Sequence, residues 1–253
     1  MRDLSAGKNN SPAPISNFFI AQPPYALPDN RLLSTTINKG FKLLKVGYRL
    51  APPLNPVVDM NTLEQRISYF HLIESVIANQ IAGDVIELGC FTGQCAMLFQ
   101  KVMQQHQSEK QLHLYDSFEV KFTLQEEVED VLRANFVAAG LPLPTLHKGY
   151  FQDTLPTQLP EQIAFAHIDC GFGGDPQPHK EIVLYCLEAI YSRMSKGAIC
   201  VLMDYHDSTT GDNGYDVNPG VKMACDEFLA SKPEQMICLY GNQISYAFFR
   251  KLA

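Results

Sequence analysis

Four apolar runs carry a carboxylate at their C-terminal end, and this restricts the possible folds more than any other feature of the chain. DVIEL at 84–88 carries Glu87, LHLYD at 112–116 ends in Asp116, IAFAHID at 163–169 ends in Asp169, and AICVLMD at 198–204 ends in Asp204. Runs this short and this apolar read as buried strands. Helical patterns lie between them, and alternating strands and helices predict an α/β fold with a mainly parallel sheet covered on both faces. In such a sheet ligands bind beyond the carboxyl ends of the strands. Burying a carboxylate is costly unless it is paired, so four acids at one rim imply hydrogen-bond donors or a cation among them.

The spacing predicts a helix from Thr62 to Ile81 ended by Gly83, and another from Cys95 to Gln105. Thr123 and Glu126 read as a capping box ahead of a helix closed by Gly140 and Pro142. A third strand is expected near 144–148, a helix at 179–194, and a helix from Pro219 to about Ser231. The C-terminal MICLYGNQISYAFFRKL holds two strand-like runs around Gly241 and Asn242, a hairpin signal. Residues 1–35 are rich in Pro, Asn and Ser but carry Phe18, Phe19, Ile20 and Tyr25, and read either as a partly ordered tail or as an irregular arm or lid that packs over a cofactor or a second subunit. Residues 36–253 read as one domain.

The formal net charge is −7 and no lysine or arginine cluster occurs. That excludes the electrostatic footprint of a nucleic-acid or anionic-membrane partner and favours a neutral or cationic one. The seven cysteines form no CxxC pair and mostly sit inside apolar runs, as core thiols of a reducing compartment do. With no signal core and no apolar stretch long enough to span a bilayer, a cytoplasmic protein is expected.

The turn after the first strand reads Gly89, Cys90, Phe91, Thr92, Gly93. A dinucleotide fingerprint would place glycine at its third position, where this chain has Phe91. A strand ending in acid-x-Gly, with a second glycine four residues on, resembles instead the first cofactor loop of class I S-adenosylmethionine (SAM) methyltransferases. Glu87 would then order the amino acid end of SAM, and Asp116 would accept the ribose hydroxyls. Tyr150 and Phe151 could flank adenine, and Ser117, Gly149 and Asp169 complete the expected cofactor set.

DVIELGCFTGQCAMLF, LYDSFE, GYFQDTLP, the strand end HID and the strand end MDY, in this order, resemble the macrocin O-methyltransferase family over about residues 60–230. The most specific pieces are DSFE at 116–119 and the run from Phe151 to Pro156. The resemblance implies a class I methyltransferase fold, a seven-stranded sheet ending in an antiparallel hairpin, and methyl transfer to a sugar hydroxyl of a natural product. It also implies Mg²⁺ held by acids after the fourth and fifth strands. Asp169 corresponds to the metal-ligating acid that also serves as base, and Asp204 to the second acid of an Asp-Asp-Tyr motif. The first acid of that motif is Met203 here, a poor ligand for a hard ion. Asp207 is the nearest replacement, with Asp175, Asp212 and Asp216 further off.

A lone carboxylate is a feeble base for an alcohol, which leaves His147, His167 and His206 as groups that titrate near neutrality. His206, two residues after Asp204, is the candidate base. His167 reads as a core histidine and His147 as structural. Three alternatives remain open: a metal-independent methyltransferase, a non-catalytic SAM-binding assembly partner, and an NAD-dependent oxidoreductase. A small-molecule acceptor and a homo-oligomer are expected.

Overall fold

The computed structural model describes residues 31–48, 61–122, 124–171, 174–210, 216–239 and 245–253. A seven-stranded sheet runs through its centre, in the order β3-β2-β1-β4-β5-β7-β6. The strands are β1 (Asp84–Leu88), β2 (Leu112–Asp116), β3 (Thr145–Lys148), β4 (Ile163–Ile168), β5 (Met194–Met203), β6 (Ile237–Leu239) and β7 (Tyr246–Arg250). β1 to β5 pair in parallel, and β7 runs antiparallel to both β5 and β6. This is the class I methyltransferase fold. The order reverses at β1, where β2 lies on one side and β4 on the other, and that switch point opens a crevice beyond the strand ends.

Among the described residues seven α-helices accompany the strands: α1 (Arg31–Leu43), α2 (Leu63–Ala78), α3 (Gln94–Gln105), α4 (Val128–Ala138), α5 (Phe151–Gln158), α6 (Pro176–Tyr191) and α7 (Pro219–Leu229). The central strands are apolar on both faces because both are covered. One core joins α2, α3 and α4 to Val85, Leu114, Phe165 and Val201. The other joins α6 and α7 to Ile86, Leu88, Ala166 and Cys200. Alternate residues of one strand thus serve opposite cores, as the two-residue period of a strand requires.

Three helix starts show how local sequence sets the frame. Thr62 caps α2 through a full capping box with Gln65. Asp175 caps α6 by accepting from the Gln177 backbone N–H at 3.0 Å, so it is a structural cap. At α4 the N-cap is Glu127, without a side-chain cap bond, so Glu126 does not fill the box position assigned to it. Thr123 lies outside the described residues.

Two helices were not anticipated. α5 holds Pro156 within it and reads as a loop in sequence. α1 begins at Arg31, inside the segment expected to be irregular, and leaves Leu33, Leu43, Leu44 and Tyr48 exposed. Phe18, Phe19, Ile20, Tyr25 and the rest of residues 1–30 lie outside the described residues, as does the hairpin turn at Gly241 and Asn242. Among the described residues no helix is long and apolar enough to cross a membrane.

Candidate active site

A cavity of about 630 Å³ lies beyond the carboxyl ends of β1, β2, β4 and β5. It is lined by Glu87, Asp116, Asp169 and Asp204, the four acids that mark the strand ends. Gly89, Cys90, Phe91, Thr92, Ser117, Gly149 and Phe151 line it too. Gly93, His206 and Asp207 do not belong to the wall.

Two glycines make the first loop possible. Gly89 has φ +83°, and a Cβ there would stand 2.0 Å from the Asp169 carbonyl oxygen, so β1 and β4 can meet at the rim only through glycine. Gly93 has φ +82° as the N-cap of α3, and a Cβ would press within 3.0 Å of Phe136 and 3.1 Å of Leu132. Gly93 therefore shapes the turn from behind. Between them Phe91 also adopts positive φ, at 43°, which is uncommon for a bulky residue.

Asp116 holds that loop in place. Its Oδ2 accepts from the backbone N–H groups of Cys90 at 2.9 Å and Phe91 at 3.0 Å, while Oδ1 accepts from Phe118 N–H at 2.8 Å. A carboxylate has about four acceptor positions, so three bonds leave capacity for a ligand hydroxyl. The side chain is both loop tie and rim acceptor.

Glu87 and His167 lie opposite each other in the β1–β4 register, 2% and 0% exposed. His167 Nδ1 and Glu87 Oε1 share a hydrogen bond of 2.9 Å. Burial pushes Glu87 well above the usual carboxylate range and lowers His167 to about 4, so each favours its uncharged form. The rings of Tyr69 and Phe99 close around His167. It is a core histidine, and Glu87 beside it is the floor of the cavity.

Asp169 and Asp204 stand at the ends of the adjacent strands β4 and β5. Burial first, then the Asp204 charge, raise Asp169 to about 7. Burial raises Asp204 as well, opposed by the amide of Asn218, whose Nδ2 donates to Asp204 Oδ2 at 2.6 Å. Asp204 adopts φ +61°, an uncommon left-handed conformation for an aspartate. Met203 fills the preceding position, and its sulfur accepts from Gln65 Nε2 at 3.3 Å and Tyr69 Oη at 3.2 Å. Two donors suited to a carboxylate thus meet a weak acceptor.

The other histidines and acids are placed elsewhere. His206 Nδ1 bonds Ser245 Oγ at 2.9 Å, away from the wall. Asp207 Oδ1 accepts from Thr209 N–H at 3.0 Å and Thr209 Oγ1 at 2.7 Å, which turns its carboxylate into its own loop. His147 stacks on Tyr115 at 4.3 Å and bonds Gln158, a packing role. Asp216 is exposed and Asp212 lies outside the described residues. Sequence reasoning passed over Asn61, Phe122, Ile182 and Asn218, all of which line the cavity. Asn218 had one local signal, its position directly before the Pro219 that starts α7.

Comparison with known proteins agrees with this geometry. Residues 86–205, from β1 to just past Asp204, match the family model described as a methyltransferase domain. A search of curated proteins found no match. Among solved structures, the O-methyltransferase NovP superposes with a TM-score of 0.63 at 19% identity, covering 80% of this chain and 85% of its own. CalS11, a TDP-rhamnose 3′-O-methyltransferase of calicheamicin biosynthesis, gives 0.56 at 17% identity, over 93% of this chain and 91% of its own. TomG from Streptomyces achromogenes, an O-methyltransferase of tomaymycin synthesis solved with SAM, gives 0.55 at 14% identity, over 90% and 92%. Residues 86–205 are thus similar to a methyltransferase domain, and the chain has the class I methyltransferase fold.

Proposed function

We propose that the protein is a SAM-dependent O-methyltransferase that methylates a hydroxyl of a sugar or related natural-product substituent, assisted by Mg²⁺. The observation that carries the reading is the single cavity into which the glycine loop, Asp116 and the Asp169–Asp204 pair all open. SAM-bound TomG supports the cofactor, and CalS11 supports a sugar hydroxyl as the methylated group. The DSFE and FQDTLP runs support the macrocin type within that class.

The residues divide the work. The Gly89 turn and Asp116 fix the nucleoside, Tyr150 and Phe151 flank the base, and Glu87 borders the amino acid end. Asp169 would take the acceptor proton; in the metal-free site, burial and the Asp204 charge raise it to about 7. The donor set suits Mg²⁺: hard carboxylate oxygens on adjacent strand ends whose mutual repulsion a cation relieves. Asp169 and Asp204 would hold the ion, which would lower the acceptor hydroxyl's pKa.

The wall also narrows the acceptor. Its described residues include the acids Glu87, Asp116, Glu119, Asp169 and Asp204 but no lysine or arginine. An acceptor bearing a diphosphate would find no cationic side chain to pair with among these residues. Apolar side chains such as Val120, Phe122, Ile182 and Val217 favour a neutral or cationic acceptor with a hydrophobic body.

Titration calorimetry with S-adenosylhomocysteine (SAH) and with NADH tests the cofactor. SAH should bind one to one and NADH should not. NADH binding without SAH binding would overturn the reading, while SAH binding with full methyl transfer in excess chelator would leave a metal-independent enzyme.

A further inference from the structure

We propose that the side-chain carbonyl of Asn218 is an oxygen ligand of the divalent cation, taking the place of the acid that Met203 replaces. This rests on the metal-assisted reading above. Asn218 is 5% exposed and lines the same cavity as Asp169 and Asp204. Its Nδ2 donates to Asp204 Oδ2 at 2.6 Å; with Asp204 ionised, as a cation ligand must be, the flipped amide would set two acceptors against each other. The carbonyl Oδ1 is left buried with no hydrogen-bond partner among the described residues. An orphaned buried acceptor is unfavourable unless something electropositive meets it. Beside two carboxylates, a hard cation is the fitting partner, and an amide oxygen is an ordinary ligand for one.

The backbone holds this amide firmly. Asn218 precedes α7, and Gly220 in its first turn packs so tightly on α6 that a Cβ would lie 2.6 Å from the Pro176 carbonyl oxygen and 2.7 Å from the Lys180 nitrogen. Close packing of α7 on α6 therefore carries Asn218 to the end of β5. Met203 is turned to Gln65 and Tyr69, so the ligand lost from the β5 end is supplied from the neighbouring helix start.

Electron paramagnetic resonance of Mn²⁺ added to the full chain tests the assignment, with SAH calorimetry and thermal melts on the same preparations. Asn218→Ala should weaken Mn²⁺ binding by about tenfold or more in a preparation whose melting curve shows it folded. Asn218→Asp discriminates direct ligation from mere support of Asp204. As a ligand, the added charge tightens Mn²⁺ binding; as a support, losing the donated N–H and adding a like charge weakens it. Wild-type Mn²⁺ affinity in Asn218→Ala, or weakened binding in a folded Asn218→Asp, would overturn the proposal. So would a wild type that binds SAH but no Mn²⁺, which would leave Oδ1 to a water molecule. A wild type that binds Mn²⁺ as described but not SAH would support the ligand assignment and overturn the methyltransferase reading.

Discussion

Asp116→Asn separates the two roles assigned to the rim acid because it preserves shape while removing charge and one acceptor. The carboxylate accepts three backbone N–H bonds, two through Oδ2 and one through Oδ1. An asparagine oriented to keep the pair from Cys90 and Phe91 turns its amide nitrogen toward Phe118 N–H, donor against donor. Hydrogen bonds to charged groups contribute about 1.5–3 kcal/mol each, so losing one and weakening two should cost about 2 kcal/mol or somewhat more. For a chain of this size, that corresponds to a melting point lower by roughly 4–8 °C. The capacity left for a ligand hydroxyl also falls, and SAH affinity should drop about tenfold, about 1.4 kcal/mol. Thermal unfolding and calorimetry read the two effects independently. A lower melting point with unchanged SAH affinity would reduce Asp116 to a loop tie, and no change in either would refute the argument.

Further outcomes follow from the same geometry. Gly89→Ala should abolish SAH binding and destabilise the chain by several kcal/mol, since the added Cβ meets the Asp169 backbone at positive φ; SAH affinity like wild type would contradict the close approach. Because Asp169 is raised to about 7, the folded chain holds that proton more tightly than the unfolded one. Its contribution is therefore most favourable below about pH 4 and falls as pH rises through about 7, so in metal-free buffer Asp169→Asn should flatten this fall and melt above wild type near pH 8. Parallel pH profiles would count against it. Met203→Asp adds an acid to the cavity wall next to Asp204, so Mg²⁺ should raise its melting point more than that of wild type; equal shifts would show that an acid at 203 pairs with Gln65 and Tyr69 instead of the ion.

The sheet was legible because buried parallel strands are apolar throughout and their ends are marked by the acids and glycines of the rim. Gly89 announced the loop because no other residue fits beside Asp169, and the C-terminal hairpin announced itself by its two short strand runs. α5 was hidden because Pro156 argues against a helix, although it lies in the second turn of only eight residues. The cavity wall followed from strand order, whereas the polar groups that surround Asp204 did not. Proximity in sequence pointed to His206 and Asp207, but with Asp204 left-handed the chain continues with His206 bonded to Ser245 and Asp207 to Thr209 of its own loop. Asn218 returns to the site fourteen residues later through the packing of α7 on α6, a contact between two helices that no local pattern encodes.

The most direct test of the account is a crystal structure of the chain grown with SAH and Mn²⁺. The expected result is density for SAH along the Gly89 turn, with its ribose at Asp116, and an anomalous peak among the Asp169 and Asp204 carboxylates and Asn218 Oδ1. SAH bound elsewhere, or a rim cavity that stays without it at saturating concentration, would contradict the assignment of this site.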